Sequence, residues 1–281
     1  YKRQLRNRLA KRDWLLDVRR KLNRLQARDA QVERRHQLDR DTFLNDYYVA
    51  NRPVIITGMM DQWPAMFRWS LDYFDKKLGS REVEIQCGRS QDRQYEIHGP
   101  KYKKRMPLSE YIRLLKQTPE SNDFYMTANN GSVNQIALAE LWEDIIHPAE
   151  YLNGNSADKG FFWLGPKGTR TPFHHDLTNN FMAQVIGRKR VRLIPSCETP
   201  YLYNHTHCYT DVDGHQIDTE QFPLVSQAQI LDCELNPGEI LFLPVGCWHY
   251  VEALDLSVTL SFVNFIWDND FSSIYHTYQA V

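Results

Sequence analysis

Phe181-Met182-Ala183-Gln184-Val185-Ile186 and Arg190-Val191-Arg192-Leu193-Ile194 are two short runs rich in apolar and β-branched residues, with Gly187 between them. Read locally, such a pair predicts two strands joined by a hairpin turn. The figure recurs downstream, where Ile240-Leu241-Phe242-Leu243-Pro244 and Trp248-His249-Tyr250-Val251-Glu252 flank Val245-Gly246. Phe161-Phe162-Trp163-Leu164-Gly165 supplies an earlier strand, and Ser257 to Phe265 closes the set. Short strands with Gly or Pro turns, and no βα alternation, predict a mainly β fold with helical additions: a sandwich or jelly-roll barrel.

Upstream of residue 160 the pattern is mixed. Thr42 to Tyr48, residues 70–78 and residues 107–117 read as helices, the last with Pro107 suited to a first turn. Pro53 to Gly58 and Arg81 to Gln86 read as strands. The opening segment, residues 1–36, lacks Gly and Pro and spaces Leu5, Leu9, Leu16, Leu22 and Leu25 as a helix would. The organisation expected is a basic helical segment over 1–40 and one catalytic barrel over 41–281.

Charge divides the same way. The chain of 281 residues has a net charge of −1, but residues 1–36 hold 13 Lys/Arg against 4 Asp/Glu and the remainder 21 against 31. The basic face can serve RNA or an acidic partner, or it can be a solvated face docked on the acidic remainder. No aromatic interleaving or RNA-binding motif accompanies it, which favours the second reading. Charged residues at 25% and hydrophobic residues at 42% exclude a disordered chain, and no apolar run is long enough to cross a membrane. The five cysteines form no CxxC pair and no apolar signal core opens the sequence, so a reducing cytoplasm is expected. Oligomeric state is not legible.

Chemistry concentrates in Thr171-Pro172-Phe173-His174-His175-Asp176. In a strand, residues i and i+2 face the same way, so His174 and Asp176 can offer a nitrogen and an oxygen to one point. His249 lies 73 residues further on, on another predicted strand. Two imidazoles and one carboxylate leave three positions open on an octahedral ion, which suits non-haem Fe(II), although zinc also accepts these donors. A chelating 2-oxo acid needs a cation for its far carboxylate. No Lys or Arg follows His249, and Lys189, 13 residues past Asp176, is placed to point back into a barrel. The competing reading of Lys189 is an exposed charge in Arg188-Lys189-Arg190.

Together with Asn180 to Arg190, Pro237 to Pro244, Trp248-His249 and Val263-Asn264-Phe265, this segment resembles the JmjC/cupin-like 2-oxoglutarate oxygenases. The similarity covers roughly residues 40–267 and, through Asn51 to Gly58 and Trp63-Pro64, is nearest to the branch of the hypoxia-inducible-factor asparaginyl hydroxylase. It implies a double-stranded β-helix using Fe(II), 2-oxoglutarate and O2. It also implies that His174, Asp176 and His249 ligate the metal. Lys189, Thr171 and Tyr125 would bind the distal carboxylate of 2-oxoglutarate, with Asn180 and Asn264 near its metal-bound end. The bland reading of Asn264 is an amide capping a strand end. The activity expected is hydroxylation of a side chain in a protein or peptide, with succinate and CO2 as co-products. The alternatives are a tRNA-base or small-molecule hydroxylase and a non-catalytic cupin-type binding module; lysyl demethylation is disfavoured. The polar insert 197–236 reads as a solvated lid over the mouth of the site.

Overall fold

The computed structural model describes residues 1–26, 31–128, 132–154 and 160–276. Helix α1 (Lys2–Gln26) opens the chain, as its composition predicts. It does not run on to residue 36: residues 27–30 lie outside the described residues, and Glu33–His36 form strand β1, all four side chains exposed. This strand pairs in parallel with β2 (Val54–Thr57), Glu33 opposite Val54 and His36 opposite Thr57. The free edge of β2 supplies its hydrogen bonds, and that pairing overrides what the polar run would do alone.

Short helices follow: α2 (Arg40–Phe43), α3 (Ala65–Arg68), α4 (Leu71–Leu78), α5 (Leu108–Gln117) and α6 (Ser132–Ala137). Ser70 starts α4 by accepting the Tyr73 backbone N–H, a standard cap. Pro107 sits one position earlier than expected, at the N-cap of α5. The remaining strands are β3 (Glu82–Cys87), β4 (Lys103–Pro107), β5 (Phe124–Tyr125), β6 (Phe161–Gly165), β7 (Arg170–His175), β8 (Asn180–Ile186) and β9 (Lys189–Ile194). They are completed by β10 (Leu231–Leu235), β11 (Ile240–Leu243), β12 (Trp248–Ala253) and β13 (Ser257–Phe262).

These strands build a six-stranded sheet, β1-β2-β11-β8-β13-β6, a four-stranded sheet, β10-β9-β12-β7, and a small sheet, β4-β3-β5. The two hairpins expected around Gly187 and Gly246 are not hairpins. β8 lies between β11 and β13 in the larger sheet, whereas β9 lies between β10 and β12 in the smaller one. The Gly187 turn therefore carries the chain across from one sheet to the other, and the Val245-Gly246 turn does the same between β11 and β12. Gly187 has φ +69°, and a Cβ there would lie 2.0 Å from the Leu256 carbonyl oxygen, so the crossing is built around the missing side chain. This crossing is the wiring of a jelly-roll barrel.

Met182, Leu241 and Leu243 of the larger sheet meet Val191, Leu193 and Val251 of the smaller one in a buried cluster between the sheets. A second cluster lies where Phe43, Phe74, Ile112 and Tyr151 pack on the larger sheet through Phe181, Phe242 and Leu260. Trp267 joins this packing against Phe43 and Tyr48, as a core aromatic. The insert 197–236 is less solvated than its polarity suggests. Leu202, Val212 and Val225 pack on Phe173, Ile194, Trp248 and Tyr250 of the smaller sheet, so these parts of the insert cover a sheet face, and residues 231–235 are strand β10 of that sheet itself. Helix α1 docks nearby: Arg20 and Arg24 reach the buried Glu198, and Arg20 lies 4.7 Å over the Tyr201 ring. Most of its apolar side chains, including Leu5, Leu9, Trp14, Leu15 and Leu22, stay exposed.

Candidate active site

The inner face of the four-stranded sheet is set by register. His249 stands opposite both His174 and Leu193, Val251 opposite Thr171 and Val191, and Ala253 opposite Lys189. Because β12 alternates, His249, Val251 and Ala253 face one way, and their partners Lys189, Thr171 and His174 face with them. Thr171 and His174 are three apart and share a face only because the β7–β12 register shifts between His249 and Val251. The extra residue, at Pro172-Phe173, reverses the alternation.

Ligand atoms of His174, Asp176 and His249 all lie within 4.8 Å of one another. His174 Nε2 is 3.8 Å from Asp176 Oδ1, and His249 Nε2 is 3.9 Å from Asp176 Oδ2. Each imidazole donates its Nδ1–H to a backbone carbonyl, that of Pro172 at 2.9 Å and that of Cys247 at 3.0 Å. A carbonyl only accepts, so these bonds fix the tautomer and leave both Nε2 lone pairs aimed at the common point. Asn180 on β8 donates to Asp176 Oδ2 at 3.2 Å and orients the carboxylate. Burial, and secondarily His249, lowers the pKa of His174 to about 4, so this ring is neutral at ordinary pH. Burial works to raise Asp176, but His249, His174 and Asn180 outweigh it and keep the carboxylate ionised. The set can hold a divalent metal. His175 faces away, with its ring edge-on to Trp248.

Lys189 is 3% exposed and donates to the Tyr125 hydroxyl at 3.1 Å. Among the described residues it makes no ion pair, and burial alone brings its pKa down to about 7. The exposed fate open to it in the sequence is that of its neighbours instead: Arg188 pairs with Asp255 and Arg190 with Asp232. Tyr125 is itself buried, which pushes its phenol well up. Among the described residues, no hydrogen bond joins the Thr171 hydroxyl to this pair. Asn264 donates to the Asn153 carbonyl at 2.9 Å, the strand-end capping role, and its Oδ1 is buried without a partner, as is that of Asn180.

Two residues that the sequence does not single out touch the site. Tyr209, from the insert, bridges to His174 through the backbone and stacks on its ring with centroids 6.0 Å apart. Arg89 lies with its guanidinium over Tyr125, 5.2 Å from the ring centroid. Neither stands in a periodic or motif context, so no local signal marks it. A cleft of about 740 Å³ lies between residues 89–97 and 206–214, bounded by Pro172 and Tyr209, both of which contact His174.

A jelly-roll barrel with two imidazoles and a carboxylate converging on its inner face defines a cupin-type protein. This chain belongs to the cupin-like domain family, whose profile matches residues 40–273. It is 35% identical over 228 residues to lysine-specific demethylase 8 of Xenopus tropicalis, an alignment covering 78% of this chain and 49% of that protein. It thus spans about half the length of that relative. It is 28% identical to tRNA wybutosine-synthesizing protein 5 of Gallus gallus, covering 79% and 73% of the two chains. With the human bifunctional peptidase and (3S)-lysyl hydroxylase JMJD7 it shares 26% identity, covering 85% and 84%.

Proposed function

We propose that this chain is an Fe(II)- and 2-oxoglutarate-dependent oxygenase that hydroxylates a side chain of a protein or peptide. The observation that carries the reading is Lys189. A buried ammonium with only a phenol for company costs the fold several kcal/mol, and it faces the same interior as the triad. That arrangement suits a dianion that reaches the metal with one end and the ammonium with the other. Two imidazoles and an ionised carboxylate fit Fe(II) with three free positions. When bound, Fe(II), 2-oxoglutarate and O2 supply the oxidation, with one oxygen atom entering a substrate C–H bond and the other leaving in succinate, alongside CO2. The chain's own share is positional. His174, Asp176 and His249 hold the ion. Lys189 and Tyr125 take the distal carboxylate, with Thr171 beside them on the same face. Asn180 steadies Asp176 and keeps a buried Oδ1 without a partner, and Asn264 stays in the set on its orphan Oδ1 alone.

A protein or peptide substrate is supported by the names of the demethylase and lysyl-hydroxylase relatives and by the broad cleft beside His174. Affinity with the asparaginyl hydroxylase branch rests on the motif resemblance alone. An RNA substrate is the second reading, favoured by the exposed basic half of α1 and by the tRNA-modifying relative. The five free cysteines fit the cytoplasm.

The test is turnover of 2-oxoglutarate to succinate with Fe(II), in the presence of a peptide library and, separately, of tRNA. Products are read by mass spectrometry. A gain of one oxygen on a peptide, lost in His174→Ala, is expected; loss of a methyl group would mean demethylation, and a modified tRNA would mean the second reading. If wild-type protein binds neither metal nor 2-oxoglutarate, it is a binding module and the proposal fails.

A further inference from the structure

Arg89 is the most completely buried charge in the described chain outside the ligand set. Its side chain is 0% exposed, yet it lies in a loop of seven polar or charged residues, Arg89 to Arg93 with Gln94 and Glu96 on either side of Tyr95. One nitrogen, Nη2, is fully used: it donates to Glu96 Oε1 at 2.7 Å and to the Arg170 carbonyl at 2.8 Å. The other two, Nε and Nη1, have no hydrogen-bond partner. What they meet are rings, since the guanidinium carbon lies 4.3 Å from the centroid of Tyr95 and 5.2 Å from that of Tyr125.

A guanidinium over an aromatic face is attracted by the ring quadrupole, more strongly where water is excluded. Arg89 is therefore a plate pressed on Tyr125. The ring is tight on another side too: a Cβ on Gly165 would come within 2.6 Å of Tyr125 Cδ2, so only glycine lets the ring lie there. The plate is anchored to the strand that carries Tyr125. Arg89 N–H donates to the Asp123 carbonyl, and the Asp123 carboxylate accepts from the Ser90 N–H at 3.1 Å. Asp123 is two residues before Tyr125, at the head of β5. Salt bridge, ring contacts and backbone clamp all fix the direction in which the Tyr125 hydroxyl points, and that hydroxyl meets Lys189 Nζ at 3.1 Å.

We infer that Arg89 is a positioning residue for the co-substrate: it holds Tyr125 so that hydroxyl and ammonium present one preformed site to the distal carboxylate of 2-oxoglutarate. The inference rests on the proposed oxygenase reading. Arg89 touches neither the triad nor the ligand in this scheme, and its effect passes entirely through the phenol oxygen.

A double-mutant cycle separates this from a merely structural role. The affinity for 2-oxoglutarate is measured calorimetrically on the Mn(II)-loaded protein for wild type, Arg89→Met, Tyr125→Phe and the double variant, and Mn(II) affinity is measured in parallel. Each single change is expected to weaken 2-oxoglutarate about tenfold, the loss of one hydrogen bond to a charged group. The double variant is expected to match Tyr125→Phe, with Mn(II) affinity moved less than about twofold in every variant. Multiplying effects, or a loss of Mn(II) affinity equal to the loss for 2-oxoglutarate, would overturn the inference. If Arg89→Met alone misfolds because Glu96 is left without its cation, Arg89→Met/Glu96→Gln carries the same cycle. Failure of the wild type to bind 2-oxoglutarate overturns the oxygenase reading and this inference with it, whereas wild-type binding with an additive cycle overturns this inference alone.

Discussion

A lysine inside a barrel is the residue on which the proposed chemistry turns, and its titration makes that proposal testable. Unfolded, Lys189 would keep its proton up to pH 10.5; folded and ligand-free, burial brings that down to about 7. Between those values the unfolded chain binds more protons than the folded one, so stability rises with pH and is lost as pH falls toward 7. Below that the penalty is complete. Lys189→Met is thus expected to stabilise the ligand-free protein most at about pH 6, with the gain shrinking as pH climbs, in urea titrations across that range. The same substitution should remove affinity for 2-oxoglutarate. In the wild type that affinity should fall up to tenfold per unit above about pH 7, as the ammonium is lost. An affinity flat through that range, by calorimetry, would mean that Lys189 does not meet the carboxylate.

At the level of elements, the turns decide the fold more than the strands do. Gly187 joins β8 to β9 at φ +69° with a backbone oxygen where a Cβ would go. Gly187→Ala is expected to cost about 1–3 kcal/mol, from the left-handed backbone and the forced shift at Leu256. Gly154→Ala, with nothing within 4 Å of its Cβ, should change stability by less than about 0.5 kcal/mol in the same denaturation series. Equal effects would show that the crossing is not built around the glycine. This turn also marks what the sequence can and cannot disclose. The runs 181–186 and 190–194 are visible as strands because apolar, β-branched stretches bounded by glycine have few other uses. Their partners are not visible, since a glycine turn looks the same whether it folds a strand back on its neighbour or sends it to another sheet. His174 and Asp176 are legible by their spacing of two. Thr171 shares their face only through a bulge at Pro172-Phe173, which exists in the pairing with β12 and not in the local sequence. Tyr209 and Arg89 reach the site through tertiary packing alone, and the insert hides its Leu202, Val212 and Val225 among polar residues.

Across the whole molecule, the site is shared between sheets, so ligands should act on global stability in separable steps. His174 and His249 belong to the four-stranded sheet, Asn180 to the six-stranded sheet, and Tyr125 to the small one. A metal on the triad binds the folded chain and not the unfolded one, and it stabilises by mass action. Bridging on to Lys189 and Tyr125 as proposed, 2-oxoglutarate would add a tie to the small sheet and a counter-ion for the buried ammonium. Its increment should therefore exceed what its affinity for Lys189 in an unmetallated site would give. Thermal unfolding is expected to shift upward with Mn(II), to shift again when 2-oxoglutarate is added, and to shift little with 2-oxoglutarate alone. Protons compete for the same lone pairs. With His174 lowered to about 4 from 6.5, the unfolded chain binds the extra proton between those values, so stability falls as pH drops through that window. The Mn(II) increment should persist at about pH 6 and vanish as pH approaches 4, where the ring charges and the metal is expelled. An increment that survives at that acidity, or one equal in His174→Ala, would place the ion away from the triad and leave the barrel's inner face without its assigned ligand.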